Sequence, residues 1–250
     1  MRLLILFAPL CLSACVSEPV EWGDVSYRHS QLGDPPAVSA TRDANLPQIP
    51  GTVAACVRSV VATFGRAELF RAWWAVGSDS NAVLSLQRSA DGGQGWEPPV
   101  EVDARDRGGR GCNRPKPAVS YNSASRYVYL AYFLDARDGS GVFFAHSMDE
   151  GKMFHSPVPV VYGNYPAEVS VDGHGDSVVV VFEDPNAVRP MIGYVLSHTT
   201  GHIFEQRGEV TPPEIRAHRP WVVLKNDRIR VWWMTPDSLD RVGHREGIWK

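Results

Sequence analysis

One eight-residue pattern occurs three times in this chain. Its copies are Ser89-Ala90-Asp91-Gly92-Gly93-Gln94-Gly95-Trp96, Ser147-Met148-Asp149-Glu150-Gly151-Lys152-Met153-Phe154 and Ser197-His198-Thr199-Thr200-Gly201-His202-Ile203-Phe204. Each has Ser first, Asp third (Thr199 in the last copy), Gly fifth and an aromatic eighth. They start at residues 89, 147 and 197, so 58 and then 50 residues apart. A period of that size means that one supersecondary unit is stacked on itself.

Each copy holds the same place in a longer unit. Before the first lie apolar runs at 57–63, 69–76 and 83–87; before the second, 117–121, 127–133 and 142–146; before the third, 167–171, 177–183 and 191–196. One more run follows each copy, at 98–102, 157–161 and 206–210. The runs are short, rich in β-branched and aromatic residues and bounded by Gly, Asp, Asn and Ser, which predicts strands joined by turns. No segment carries helical periodicity over a dozen residues. A fourth unit begins at His218, with runs at 220–224, 229–234 and 241–249. Its Trp232-Trp233 echoes Trp73-Trp74 of the first. In each pair the two side chains must face opposite ways. Four-stranded units in series predict an all-β fold, a small β-propeller of four blades. The fourth blade lacks a strand, and residues 24–29 are the candidate to close it. In this reading the motif is a structural turn staple: Ser89, Ser147 and Ser197 with Asp91, Asp149 and Thr199 bond turn backbone, Gly93, Gly151 and Gly201 permit positive φ, and Trp96, Phe154 and Phe204 tuck beneath.

The chain's first residues predict processing. Met1-Arg2, an apolar stretch at 3–12 and the ending Leu12-Ser13-Ala14-Cys15 form a bacterial secretory signal over 1–14. Its end resembles a lipobox, which implies cleavage before Cys15 and lipidation of that thiol. Val16 after the Cys favours the outer membrane over the inner. Residues 15–50 then serve as tether and closing strand, and 51–250 as the propeller. In an oxidising compartment Cys56 and Cys112 lie at equivalent ends of adjacent inner strands, which suits a disulfide; two separate buried thiols are the alternative. Net charge −3 and the lack of a basic stripe argue against a nucleic-acid partner. No Cys-x-x-Cys spacing predicts a metal, and no metal or cofactor is expected.

The repeated octapeptides resemble the Asp boxes, or BNR repeats, of the sialidase superfamily. That superfamily holds exo-sialidases and other glycosidases, sugar-binding modules and non-enzymatic propellers that assist membrane complexes. The resemblance implies the fold and leaves function open. Family sialidases are six-bladed and grip the substrate carboxylate with three Arg, with a Tyr nucleophile activated by a Glu. Here Asn113-Arg114-Pro115 and His218-Arg219-Pro220 stand where inner strands begin, and Asn164-Tyr165-Pro166 with Glu168 stands at the same point of the third unit. Arg114, Tyr165, Glu168 and Arg219 are therefore the ligand-binding candidates, with no catalytic assignment. Arg114 and Arg219 fit either an anion clamp or the ordering of loops between blades, and the second is favoured. A third Arg has no match.

Loops between second and third strands carry Asp79, Asp135, Arg137, Asp138, Glu183, Asp184, Asn186, Arg189 and Asp237, a mixed-charge face. The expected function is a non-catalytic envelope lipoprotein. It is anchored to the membrane by lipid and uses this face to hold a protein or glycan, or to serve a membrane complex. A sialidase-like exo-glycosidase is the alternative.

Overall fold

The computed structural model describes residues 18–29, 46, 49, 51–56, 60–64, 67–236 and 238–250. The signal segment, Cys15 and Asp237 lie outside the described residues. All regular structure among the described residues is β. Two short strands come first, β1 (Val20–Trp22) and β2 (Ser26–His29). The first unit is β3 (Thr52–Ala55), β4 (Val60–Phe64), β5 (Glu68–Gly77), β6 (Ala82–Ser89) and β7 (Val100–Asp106). The second is β8 (Ala118–Asn122), β9 (Tyr127–Ala136), β10 (Gly139–Ser147) and β11 (Val158–Tyr162). The third is β12 (Val169–His174), β13 (Ser177–Glu183), β14 (Ile192–Ser197) and β15 (Gln206–Glu209). The fourth is β16 (His218–Lys225), β17 (Arg228–Thr235) and β18 (Ser238–Trp249).

Within each unit the strands are antiparallel neighbours in chain order. The inner strand of the first unit is split: β3 and β4 both pair with β5, where the sequence suggested one run at 57–63. A single bridge, Asp106 with Ala136, joins the first two units into one sheet. The fourth unit takes its outer strand from the N-terminal segment. Val20 pairs with Trp249, and after a break at residues 23–25 Tyr27 pairs with Gly243. The closing segment therefore starts at Val20 rather than at Asp24.

The middle strands explain why the units stack. β9 reads Tyr-Val-Tyr-Leu-Ala-Tyr-Phe-Leu-Asp-Ala and is buried on both sides. Side chains alternate across a strand, so an unbroken apolar run supplies two faces. Leu130, Tyr132 and Leu134 pack with Phe70, Ala72 and Trp74 of β5 in one core cluster. Tyr129, Ala131 and Phe133 point the other way and pack with Val178, Val180 and Phe182 of β13. The opposite face of β13, Val179 and Val181, joins Ile229, Val231 and Trp233 of β17. Three interfaces thus join four units, and the Trp pairs split between faces as the alternation requires.

The inner strands pack in the order β4, β8, β12, β16, and among the described residues β16 has no comparable packing on β4. The half-buried Asp172 of β12 holds this row together. It accepts the Ser120 hydroxyl of β8 at 2.7 Å and the Leu224 N–H of β16 at 2.8 Å.

The repeated motifs act as staples. Ser89, Ser147 and Ser197 are fully buried, and each hydroxyl accepts the N–H of the motif Gly at 2.8–3.0 Å. Asp91 accepts the Gly95 N–H at 2.8 Å, and Asp149 accepts the Met153 N–H at 3.0 Å. Thr199 keeps the same bond with its hydroxyl, accepting Ile203 N–H at 3.0 Å. The preceding N–H bonds the turn between the first and second strands: Gly92 to Ala67, Glu150 to Arg126 and Thr200 to Asp176. Gly93, Gly151 and Gly201 have φ of 90°, 82° and 85°. A Cβ on Gly151 would stand 2.8 Å from Leu86, and one on Gly201 would collide with Phe144. These two staples are therefore pressed against the preceding unit.

Candidate functional site

The rim opposite the staples gathers the loops that link the units and the hairpins between second and third strands. Main-chain bonds knit them together. Arg107 N–H reaches Asp135 O at 3.0 Å, Gly163 N–H reaches Ser140 O at 2.9 Å, and Ala217 N–H reaches Pro190 O at 3.0 Å. Across the same rim the Arg110 guanidinium donates to Asn164 O at 3.1 Å. Burial pushes the Asp135 carboxyl up, but the Ser140 hydroxyl and the Arg107 guanidinium outweigh it and hold it below the usual carboxylate range.

Arg114 lies inside this rim. It is 1 % exposed. Its guanidinium forms a two-pronged ion pair with the buried Asp106, Nε to Oδ2 at 3.0 Å and Nη2 to Oδ1, and lies 5.1 Å from the Trp74 ring centroid. Asp106 also accepts the N–H groups of Gly108 and Asp135 at 2.7 and 3.1 Å. Residue 106 is the bridge between the first two units, so the pair locks the linking loop onto the seam. The Cys56–Cys112 disulfide fastens the same loop to the end of β3, with Cα atoms 5.0 Å apart. Closing a loop of 56 residues stabilises by about 4 kcal/mol in the chain-entropy account.

The other three candidates sit around the C-terminal end of β13. Tyr165 is 65 % exposed, and its N–H bonds Pro185 O at 3.3 Å. Glu168 is half-buried, and its carbonyl accepts Glu183 N–H at 2.9 Å. Arg219 is exposed, with φ of 49°, and its N–H donates to the Glu183 carboxylate at 2.8 Å. His218 Nδ1 lies 3.4 Å from the same carboxylate oxygen. Tyr165, Glu168 and Arg219 thus share one neighbourhood, while Arg114 belongs to the seam. Two more exposed apolar residues lie in the adjoining loops. Tyr162 has its carbonyl bonded by Asn186 at 2.7 Å, and Val188 is 99 % exposed on the adjoining hairpin. Sequence spacing did not single out Tyr162 or Val188; only the fold brings residues 162, 165 and 188 to one rim.

One group of His, Cys, Asp or Glu among the described residues has ligand atoms close enough to share a metal, and it is on the opposite rim: His146, His155 and His202. The separations of these three along the chain, nine and 47 residues, match no metal-ligand spacing.

No family model matches the chain, and no curated protein does. Solved structures do. A Dyadobacter fermentans protein of unknown function aligns at TM-score 0.52 and 16 % identity, over 76 % of this chain and 54 % of that one. A Hadza microbial sialidase aligns at TM-score 0.50 and 14 % identity, over 70 % of this chain and 41 % of that one. The GH43B protein of a Bacteroides ovatus xyloglucan PUL aligns at TM-score 0.46 and 11 % identity, over 77 % of this chain and 38 % of that one. The class defined is a propeller-like all-β fold of the kind found in sialidases. The described residues form four such units, and the chain spans about half the length of the first of those proteins.

Proposed function

We propose that this chain is a non-catalytic lipoprotein of the bacterial envelope, anchored through Cys15 at the outer membrane. Its rim around Tyr165 and Arg219 holds a protein or glycan, or serves as the docking face of a membrane complex. The observation that carries this reading is that Tyr162, Tyr165, Val188 and Arg219 are all exposed on one rim, in loops tied together through Glu183, Pro185 and Asn186. Aromatic side chains and Arg are the residue types that dominate recognition surfaces. The burial of Arg114 against Asp106 also favours it over a carboxylate-gripping glycosidase, because that guanidinium already holds an internal carboxylate.

The test is a pull-down of the lipidated protein from solubilised envelope, run beside a Tyr165→Ala/Arg219→Ala variant. A stoichiometric partner lost by the variant supports the reading. A partner kept equally by both forms moves the docking face elsewhere. Hydrolysis of a sialoside by the wild type that disappears in Tyr165→Phe replaces the reading with that of an exo-glycosidase.

A further inference from the structure

We propose that His146, His155 and His202 form a binding site for a divalent transition metal of the zinc class, set where the second and third units meet. The three rings come from three places. His146 is next to last in β10, His155 follows the aromatic of the second staple, and His202 follows the Gly of the third. Their ligand atoms all lie within 4.8 Å of one another. His146 stacks on His155 with centroids 4.5 Å apart and meets His202 edge-on at 4.5 Å.

Each ring is set up differently, and each way suits a metal. His146 is buried, and its Nε2 has no hydrogen-bond partner among the described residues. Leaving such an atom unsatisfied is costly, and a bound ion would satisfy it. His202 Nδ1 donates to Thr199 O at 2.7 Å; a carbonyl can only accept, so the proton sits on Nδ1 and Nε2 is left as the ligand. This is the outer-shell bond that fixes the tautomer of metal-binding His. His155 is exposed, so its ring has room to turn, and tetrahedral bonds of about 2.0–2.1 Å would draw the three nitrogens to about 3.4 Å apart.

The junction between the first and second units provides a control within the molecule. There the positions of His146, His155 and His202 are held by Arg88, Glu97 and Lys152. Arg88 lies 3.1 Å from Glu97 and 3.2 Å from Glu150, and Lys152 lies 3.9 Å from Glu150, so that corner is closed by ion pairs. In the second corner Thr200 stands where Glu150 stood, and three imidazoles replace the charged trio. Imidazole ligands without a carboxylate select zinc, copper, nickel or cobalt over magnesium or calcium. Since His155 and His202 face solvent, a three-His ion there keeps a fourth position open to water or an added ligand.

The experiment uses the full chain without a histidine tag, stripped with chelator and titrated with Zn²⁺ by calorimetry and equilibrium dialysis. One ion per chain is expected, with no competition from a large excess of Mg²⁺ or Ca²⁺. X-ray absorption should show imidazole nitrogens at about 2.0–2.1 Å. His155→Ala/His202→Ala is chosen because both rings are exposed, and in chelator it should melt with the wild type. Losing ligands should weaken Zn²⁺ binding by about 100-fold or more, at least the cost of losing an outer-shell partner. The proposal is overturned if the wild type takes up no Zn²⁺, if the double variant binds as well, or if Ca²⁺ competes equally.

Discussion

At the scale of single residues, the staples turn three sequence repeats into three measurable quantities. Thr199 does the work of an Asp with one hydroxyl, so Thr199→Val should lose the bonds to Ser197 and Ile203 and cost about 1 kcal/mol in urea denaturation. Gly201→Ala should cost more, about 2–4 kcal/mol, because its φ is 85° and Phe144 fills the space a Cβ needs. Glu150 adds a pH dependence. The Arg126 bond chiefly, against some burial, and then the Arg88 charge hold its carboxyl below its ordinary value of 4.5. A depressed carboxyl contributes stability that is fully present above the ordinary value and lost as pH falls through the lowered one. Glu150→Gln should therefore be less stable than wild type by about 1 kcal/mol at pH 7, with the gap closing below pH 4 in denaturant melts. A gap unchanged by pH would remove the ion pairs from this account.

At the scale of elements, strand faces were legible and their partners were not. The unbroken apolar runs of β5, β9 and β13 announce two buried faces, and the Trp73-Trp74 alternation follows from the pleat alone. The staple turns were legible because their residue types are dictated by local bonds. The partner of Arg114 was not: loop ordering was the favoured role, but Asp106 matters only once β7 meets β9 at that bridge. The three His were hidden for a similar reason, being joined by the packing of two units rather than by spacing along one strand. The Arg114–Asp106 pair gives a test at this scale. Arg114→Met should cost about 3–5 kcal/mol by stranding a buried carboxylate, while Arg114→Met with Asp106→Leu should recover a large part of it. Equal losses in single and double variants would mean that the stranded carboxylate is not the source of the loss.

At the scale of the whole molecule, the chain's two ends meet in one sheet. Sequence pattern places the closing strand at residues 24–29; the fold pairs both Val20–Trp22 and Ser26–His29 with β18. Val20 is fully buried in the cluster between the third and fourth units, with Trp233 and Trp249. Gly247 of β18 lies so close beneath that an added Cβ would stand 2.5 Å from Val20 and 2.7 Å from Trp22. The outer strand thus does more than cover an edge; it completes the last core in the row. Val20→Asp should then cost about 3 kcal/mol or more, because it places a carboxylate in an apolar cluster without a partner. Gly247→Ala should lift β1 away and expose the edge of β18, a template for pairing with a second chain. Both should lower the melting temperature, and the Gly247 variant should also shift to larger species in size-exclusion chromatography as concentration rises. If Val20→Asp melts with the wild type, the N-terminal strand lies on the fold without supporting it, and the fourth unit must be stable with three strands.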